Sequence, residues 1–201
     1  MYWNDEGFLL SKNNFDENSI IIETFTSDHG KCIGVVYGGA SRKQKKNFQI
    51  GNKILVNWRS KGENKMGYFT IELLKPISPL FFDDKKKAIC ILSASSILKI
   101  LLPERQINKK VYISFEQFLN KLNSENWIEF YIDWELKLIK ELGYKTPDVF
   151  FKKDKKSNSI FDINQALKLN KKLFMENFIM PNNLRLPFSR NILEKYFNNG
   201  K

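Results

Sequence analysis

Histidine occurs once in this chain, as His29, and cysteine twice, as Cys32 and Cys90 in separate segments. There is no CxxC pair and no Cys/His cluster, so no ligand set for a structural zinc is present. Two buried, reduced thiols are the expectation. The lone histidine sits in a turn signal, Ser27-Asp28-His29-Gly30, and no nucleophile, base and orienting group can be assembled around it. Neither the P-loop pattern nor GxGxxG occurs, which removes the usual nucleotide cradles. Of the acidic pairs, Asp83-Asp84 is better explained as the start of a helix than as a metal pair, because anions favour that end of the dipole. Long apolar runs are also missing. The longest, AICILSASSILKILLP, carries Lys99 and is too short to span a bilayer. The first residues include Asp5 and Glu6 and no apolar signal core. The expectation is a cytoplasmic protein with no catalytic centre, cofactor or membrane segment.

Arginine is scarce too: five residues against 28 lysines, in a chain of net charge +11. Asn, Lys and Ile are what AT-rich coding writes by default, so part of this excess reflects base composition. The remainder favours an anionic partner. The arginines carry more information, because their planar fork fits phosphate. They are Arg42, Arg59, Arg105, Arg185 and Arg190.

The pattern along the chain has two halves. Residues 6–12, 19–26, 31–38, 53–60 and 66–75 read as strands. In the fourth, Ile54, Val56 and Trp58 alternate with Leu55, Asn57 and Arg59. Five short strands with wet edges are better served by curling into a small barrel, and glycines at 34 and 38 suit the coiling this needs. An OB-fold barrel is the leading expectation, with an SH3-like barrel as its rival. Pro76 and Pro79 mark the boundary, giving a nucleic-acid-binding half at 1–78 and a helical half at 79–201. There the period predicts a helix over 84–102 buried on more than one side, then one capped by Asn108. A third, 125–142, is capped by Ser124 and stands at the centre of a bundle. A polar loop follows at 152–159, then a helix opened by an Asp162–Gln165 capping box, and a last one from Pro187 to Phe197.

Residues 37–52, YGGASRKQKKNFQIGN, are the most cation-rich stretch of the first half. From 40 to 66 there are eight cations and one anion, Glu63. Gly38 and Gly39 let the backbone turn and expose N–H groups to an anion. Ser41 adds a hydroxyl. Arg42, Lys43, Lys45 and Lys46 add charge, with Arg59 and Lys61 on a neighbouring segment. Such loops on small barrels receive nucleic acid. About five phosphate contacts imply a log–log salt slope of roughly −3.5 to −4.5. Phe25, Tyr37 and Phe48 are candidate base-stacking rings. The competing readings are a solvated loop and core aromatics.

Five segments now carry a resemblance. DEGFLL, SIIIETFTSDHG, GVVYGGASRK, FQIGNKILVNW and, at 134–144, WELKLIKELGY resemble, in that order, the RecO family of recombination mediators. LRLPFSRNILEKYF at 184–197 is similar to the family's C-terminal helix. The resemblance implies an N-terminal OB-fold and a helical C-terminal domain (α+β overall). It implies binding of single- and double-stranded DNA, strand annealing, and work with RecR to load RecA onto strands coated by single-strand binding protein (SSB). It carries a DNA-contact role onto Ser41, Arg42 and Lys43. Many members hold a four-cysteine zinc site in the helical half, and here no cysteine follows Tyr144. SSB's acidic tail ends in apolar residues, which suits an apolar groove rimmed by cations. The helix bearing Trp127, Tyr131, Trp134 and Lys137 is the candidate. Two alternatives stand beside this reading: an RNA-binding OB-fold protein, and a protein-interaction scaffold whose charge is base composition alone.

Overall fold

The computed structural model describes residues 1–41, 44, 47–60, 62, 66–147 and 160–198. The polar stretch at 152–159 lies outside them. The chain forms two compact units, Met1–Lys109 and Lys110–Lys201.

The first unit is built on β1 (Tyr2–Asn14), β2 (Ile20–Thr26), β3 (Gly30–Val36), β4 (Lys53–Arg59) and β5 (Gly67–Lys75). They close into a barrel in the order β1-β2-β3-β5-β4. Closure comes from a short parallel pairing of β3 with β5, Gly34 with Gly67 and Val35 with Tyr68. This is the OB-fold arrangement, so the SH3-like rival is set aside. β1 is longer than expected because it serves two partners. Residues 2–8 pair with β4 and residues 7–14 with β2, with a register shift between Leu9 and Ser11. The shift bends the strand so that one segment can form a corner of the barrel.

Small residues make the closure possible. A Cβ on Gly67 would lie 1.8 Å from Trp58 Nε1, and one on Gly34 would lie 2.7 Å from the Phe69 ring. The two large rings therefore occupy the space beside the narrow β3–β5 seam. Gly38, expected inside the third strand, falls beyond its end at Val36. Leu9, Ile20, Ile22, Val36, Phe48, Ile54, Val56, Trp58 and Phe69 fill the interior.

The proline segment does not hang between halves. Asn52 Oδ1 accepts hydrogen bonds from the N–H groups of Ile77 (2.8 Å) and Ser78 (3.1 Å), and the Ser78 hydroxyl bonds the Ile50 carbonyl. A 3-10 turn at Ser78–Phe81 then leads into α1 (Lys85–Leu101). Asp84 caps this helix by accepting from the Lys86 and Lys87 N–H groups. Near its other end, Lys99 bridges Glu23 of β2 at 2.7 Å, and Lys31 of β3 donates to the Lys99 carbonyl at 2.7 Å. Cys90, Ile91, Ser93, Ala94, Ser95, Ile97 and Leu98 are all buried, as the lack of a polar stripe predicts. The secondary structure changes type at 78, whereas packing changes at 109, because α1 is fastened to the barrel.

The second unit contains α2 (Lys109–Asn120), α3 (Trp127–Glu141), α4 (Ile160–Phe174) and α5 (Phe188–Asn198). α4 runs on through a π turn at Met175–Ile179. α3 is its core: Ile128, Tyr131, Ile132, Trp134, Glu135, Leu136, Leu138 and Ile139 are buried. Two caps differ from expectation. Ser124 turns its hydroxyl back to the Lys121 carbonyl at 2.5 Å, and Asn126 occupies the N-cap position without a side-chain bond. α4 starts at Ile160, so Asp162 stands inside the first turn rather than ahead of it.

A buried ion pair organises the helices. Arg190 of α5 and Glu135 of α3 have no exposed surface. Arg190 Nε donates to Glu135 Oε1 at 2.6 Å, and its Nη2 donates to Glu135 Oε2 at 3.2 Å and to the Leu167 carbonyl at 2.8 Å. The Tyr131 hydroxyl and the Asn170 amide also donate to Glu135, at 2.5 and 3.1 Å. Burial alone would lower the Arg190 pKa. The Glu135 carboxylate, with Tyr131 and Glu194, outweighs it and raises the pKa above the ordinary arginine value.

Candidate nucleic-acid interface

The segment after β3 begins with a left-handed residue, Gly38, at φ 71°, with open space where a Cβ would stand. Gly39 is there for a different reason. A Cβ on it would lie 2.7 Å from Ile20 Cγ1, so the loop is pressed onto the barrel at that point. Of the two glycine N–H groups expected to face an anion, that of Gly39 is already engaged. The Gly39 N–H donates to the Val36 carbonyl, that of Ala40 to Asn18 and that of Ser41 to Gly38. These three donors are already used. Ser41 is exposed. Arg42, Lys43, Lys45, Lys46 and Lys61 lie outside the described residues. The loop is anchored again by successive turns, Gln44 N–H to Ser41 and Asn47 N–H to Gln44, and by the buried ring of Phe48.

Of the three candidate stacking rings, two are corrected. Phe48 is 2% exposed and fills the barrel interior; Phe25 is 0% exposed. Phe25 shares a strand face with Glu23, the residue that bridges Lys99 of α1, which places it on the side that the helix covers. Neither ring offers a face to a base. Tyr37 does, at 64% exposure, and it stacks on Tyr68 with ring centroids 5.2 Å apart. Its hydrogen bond with Tyr68 raises the Tyr37 pKa, keeping the phenol protonated. Arg59 is exposed on β4, with its guanidinium 5.4 Å from the Tyr2 ring centroid. Tyr2 and Tyr68 were not among the sequence candidates. The outward alternation of Arg59 gives a hint of this face, but its neighbours are set by strand register.

The turn histidine has a structural role. His29 Nδ1 lies 3.0 Å from Asp5 Oδ2, and its ring stacks on Trp3 at 4.0 Å. Trp3 stacks in turn on Trp58 at 5.5 Å. The nearby Cys32 thiol is pushed up to about 11, chiefly by burial, which makes it a poor nucleophile.

In the helical unit a groove of about 370 Å³ runs between α2 and α3, lined by Phe118, Phe130, Trp134, Lys121, Asp133 and Lys137 among others. Two of the four residues proposed for a tail-binding groove, Trp134 and Lys137, line it. Tyr131 does not: it is fully buried beside Glu135. Trp127 packs its half-buried ring against Phe197 at 6.0 Å. Lys137 bridges Asp133 at 2.7 Å on the rim. The Trp134 indole N–H is buried and has no acceptor among the described residues.

Two family models match the chain in succession: Recombination protein O N terminal over residues 1–77, and Recombination protein O C terminal over residues 83–150. The chain belongs to the RecO family. It is 35% identical over 147 residues to the DNA repair protein RecO of Wolbachia pipientis subsp. Culex pipiens, covering 72% of this chain and 60% of that protein. It is 35% identical over 144 residues to that of Jannaschia sp., covering 72% and 59%. For a Cereibacter sphaeroides RecO the identity is 37% over 145 residues, covering 72% and 60%. The chain thus spans about 60% of the length of these RecO proteins. The two matched regions meet at the proline segment and take in the barrel, α1, α2 and α3. The two cysteines of this chain cannot supply the four-cysteine zinc site that the RecO resemblance implies. Both are buried, in β3 and α1, and no His/Cys/Asp/Glu group among the described residues could hold a metal. In this RecO chain the Glu135–Arg190 pair joins the helices that follow α3 to the bundle.

Proposed function

We propose that this chain acts in DNA repair as a non-catalytic recombination mediator. It binds single- and double-stranded DNA through the barrel unit, anneals complementary strands and, with RecR, helps load RecA onto SSB-coated strands. The observation that carries the reading is the concentration of eight cations against one anion in residues 40–66 of a RecO-family OB barrel. The α2–α3 groove is the seat of SSB's acidic, apolar-ended tail. Its aromatic walls, its two lysines and the unsatisfied indole N–H of Trp134 support that assignment. No helix among the described residues is long and apolar enough to cross a membrane, and the proposed place of action is the cytoplasm, at the nucleoid.

The test is annealing of complementary labelled strands by the full chain, with and without SSB coating. Acceleration in both conditions is expected. No acceleration on either substrate would overturn the mediator reading. Preference for structured RNA over single-stranded DNA in competition would point instead to the RNA-binding alternative, and absence of salt-dependent DNA retention to a protein scaffold.

A further inference from the structure

The outer face of the barrel carries a row of exposed side chains, of which the basic stretch 37–52 includes only Tyr37. Tyr2 of β1 is the register partner of Arg59 of β4, and Arg59 is the partner of Tyr68 of β5. Tyr37, one residue past β3, extends the row by stacking on Tyr68 with planes 26° apart. Tyr2, Tyr68 and Tyr37 are 59%, 37% and 64% exposed. A single exposed tyrosine is unremarkable. Two in register with an arginine between them, and a third stacked on one of the two, form a surface of aromatic rings and a cation.

The rings are held in place before any ligand arrives. The Tyr2 hydroxyl donates to Asn57 Oδ1 at 3.2 Å, and the Tyr37 and Tyr68 rings stack on each other at 5.2 Å. Such ordering lowers the entropic cost of binding. Charge also favours an anion at this end. The next outward row along the strands is neutral, Asn4, Asn57 and Thr70. On β1 and β5 the carboxylates of this face, Glu6 and Glu72, sit at the level of Leu55, four residues and about 13 Å along β4 from Arg59, while Asp16, between β1 and β2, acts on Tyr37 at the end of the row away from Arg59. Glu6 is already paired with Lys53 at 2.7 Å. In sequence, the first cation of the basic segment, Arg42, follows Tyr37 by five residues, and Lys61 follows Arg59 by two.

We propose that the Tyr2–Arg59–Tyr68–Tyr37 row is a base-stacking track for single-stranded nucleic acid. This rests on the DNA-binding reading above and adds the surface that recognises unpaired bases. Four strands at their ordinary spacing make a row about 14 Å long, room for about two or three nucleotides. The rings take base faces, which a duplex hides, and Arg59 takes the intervening phosphate. The track is sequence-tolerant, because every base has a π face.

The test uses the full chain with a labelled 15-nucleotide thymidine strand and an abasic strand of equal length. The natural chain binds the thymidine strand at least about tenfold more tightly than the abasic one. The double variant Tyr37→Ala/Tyr68→Ala loses about ten- to a hundredfold on the thymidine strand, no longer distinguishes the two strands, and keeps its salt slope. Tyr37→Phe/Tyr68→Phe retains binding. Should the double alanine variant fail to melt cooperatively, Tyr2→Ala, at the start of β1, is read in the same way. Unchanged thymidine-strand affinity in the folded variant, with salt-dependent binding by the natural chain, overturns the track and leaves the basic-segment reading standing. Failure of the natural chain to bind either strand overturns both. Retained DNA binding together with lost binding of an oligoglutamate peptide would make the occupant an acidic peptide and refute the proposal.

Discussion

Arg59 of the barrel unit is exposed beside Tyr2, whereas Arg190 of the helical unit has no exposed surface and is locked to Glu135 at 2.6 Å. The same side chain has two uses. Arg190 spends its Nε and Nη2 donors on Glu135 and the Leu167 carbonyl, so its charge fixes the placement of α5 against α3 and α4. Arg59 sits where the surface is open and the neighbouring groups are rings and neutral amides, so its charge is directed outward. Buried charge specifies a packing arrangement; exposed charge beside aromatic faces makes a binding surface. The helical unit gains its cohesion from the first, and the barrel unit offers its ligand the second.

The largest effect that separates the two is on stability. Arg190→Ala leaves Glu135 buried without its counter-ion and costs about 3–5 kcal/mol. A calorimetric or circular-dichroism melt measures this. Arg190→Met with Glu135→Leu, which removes both charges together, recovers most of the loss. A milder alanine penalty than about 1 kcal/mol would show that the pair is not the organising contact.

The barrel's counterpart is its closure. Gly67→Ala drives a methyl into Trp58 and costs about 1–3 kcal/mol, read as a lower melting temperature with a shift in tryptophan emission. Arg59→Ala shifts stability by no more than about 0.5 kcal/mol while weakening retention of single-stranded DNA. A loss of stability as large as that of Arg190→Ala would erase the contrast between the two arginines.

The smallest effect is a pH dependence. The Cys32 thiol has its pKa raised from 9.0 to about 11 by burial, so the folded state holds the proton longer than the unfolded one. The stabilisation is complete below pH 9 and is lost as pH rises from 9 through 11. Lys31, whose pKa burial lowers, acts in the opposite sense over the neighbouring range. Comparing melts of the natural chain with Cys32→Ala across this window isolates the thiol. An identical pH profile for both would contradict its burial.

Much of the fold was legible because alternation and helical period report burial directly. The alternation of Ile54, Val56 and Trp58 against Asn57 and Arg59 is realised in β4, and the apolar surface of α1 is buried on several sides. What was not legible depends on contacts distant in sequence. Phe25 and Tyr37 look alike as strand aromatics, and only the docking of α1 over one sheet face separates them. Tyr131 and Trp134 read equally well as groove or core, and Glu135 with Arg190 draws the former inward. Tyr2 and Tyr68 could not be joined to Arg59 without the register of three strands. The two cap differences are local competitions: Ser124 satisfies its hydroxyl on the preceding turn, and α4 begins ahead of its acidic signal.

The most direct test of the account is the salt dependence of single-stranded DNA binding by the full chain, measured by fluorescence anisotropy. For about five phosphate contacts the log–log slope on a single strand is about −3.5, and replacing Arg42, Lys43, Lys45 and Lys46 together with Ala flattens it while the melting curve stays in place. A folded quadruple variant with the natural slope and affinity would contradict the claim that this cationic segment grips the polynucleotide backbone.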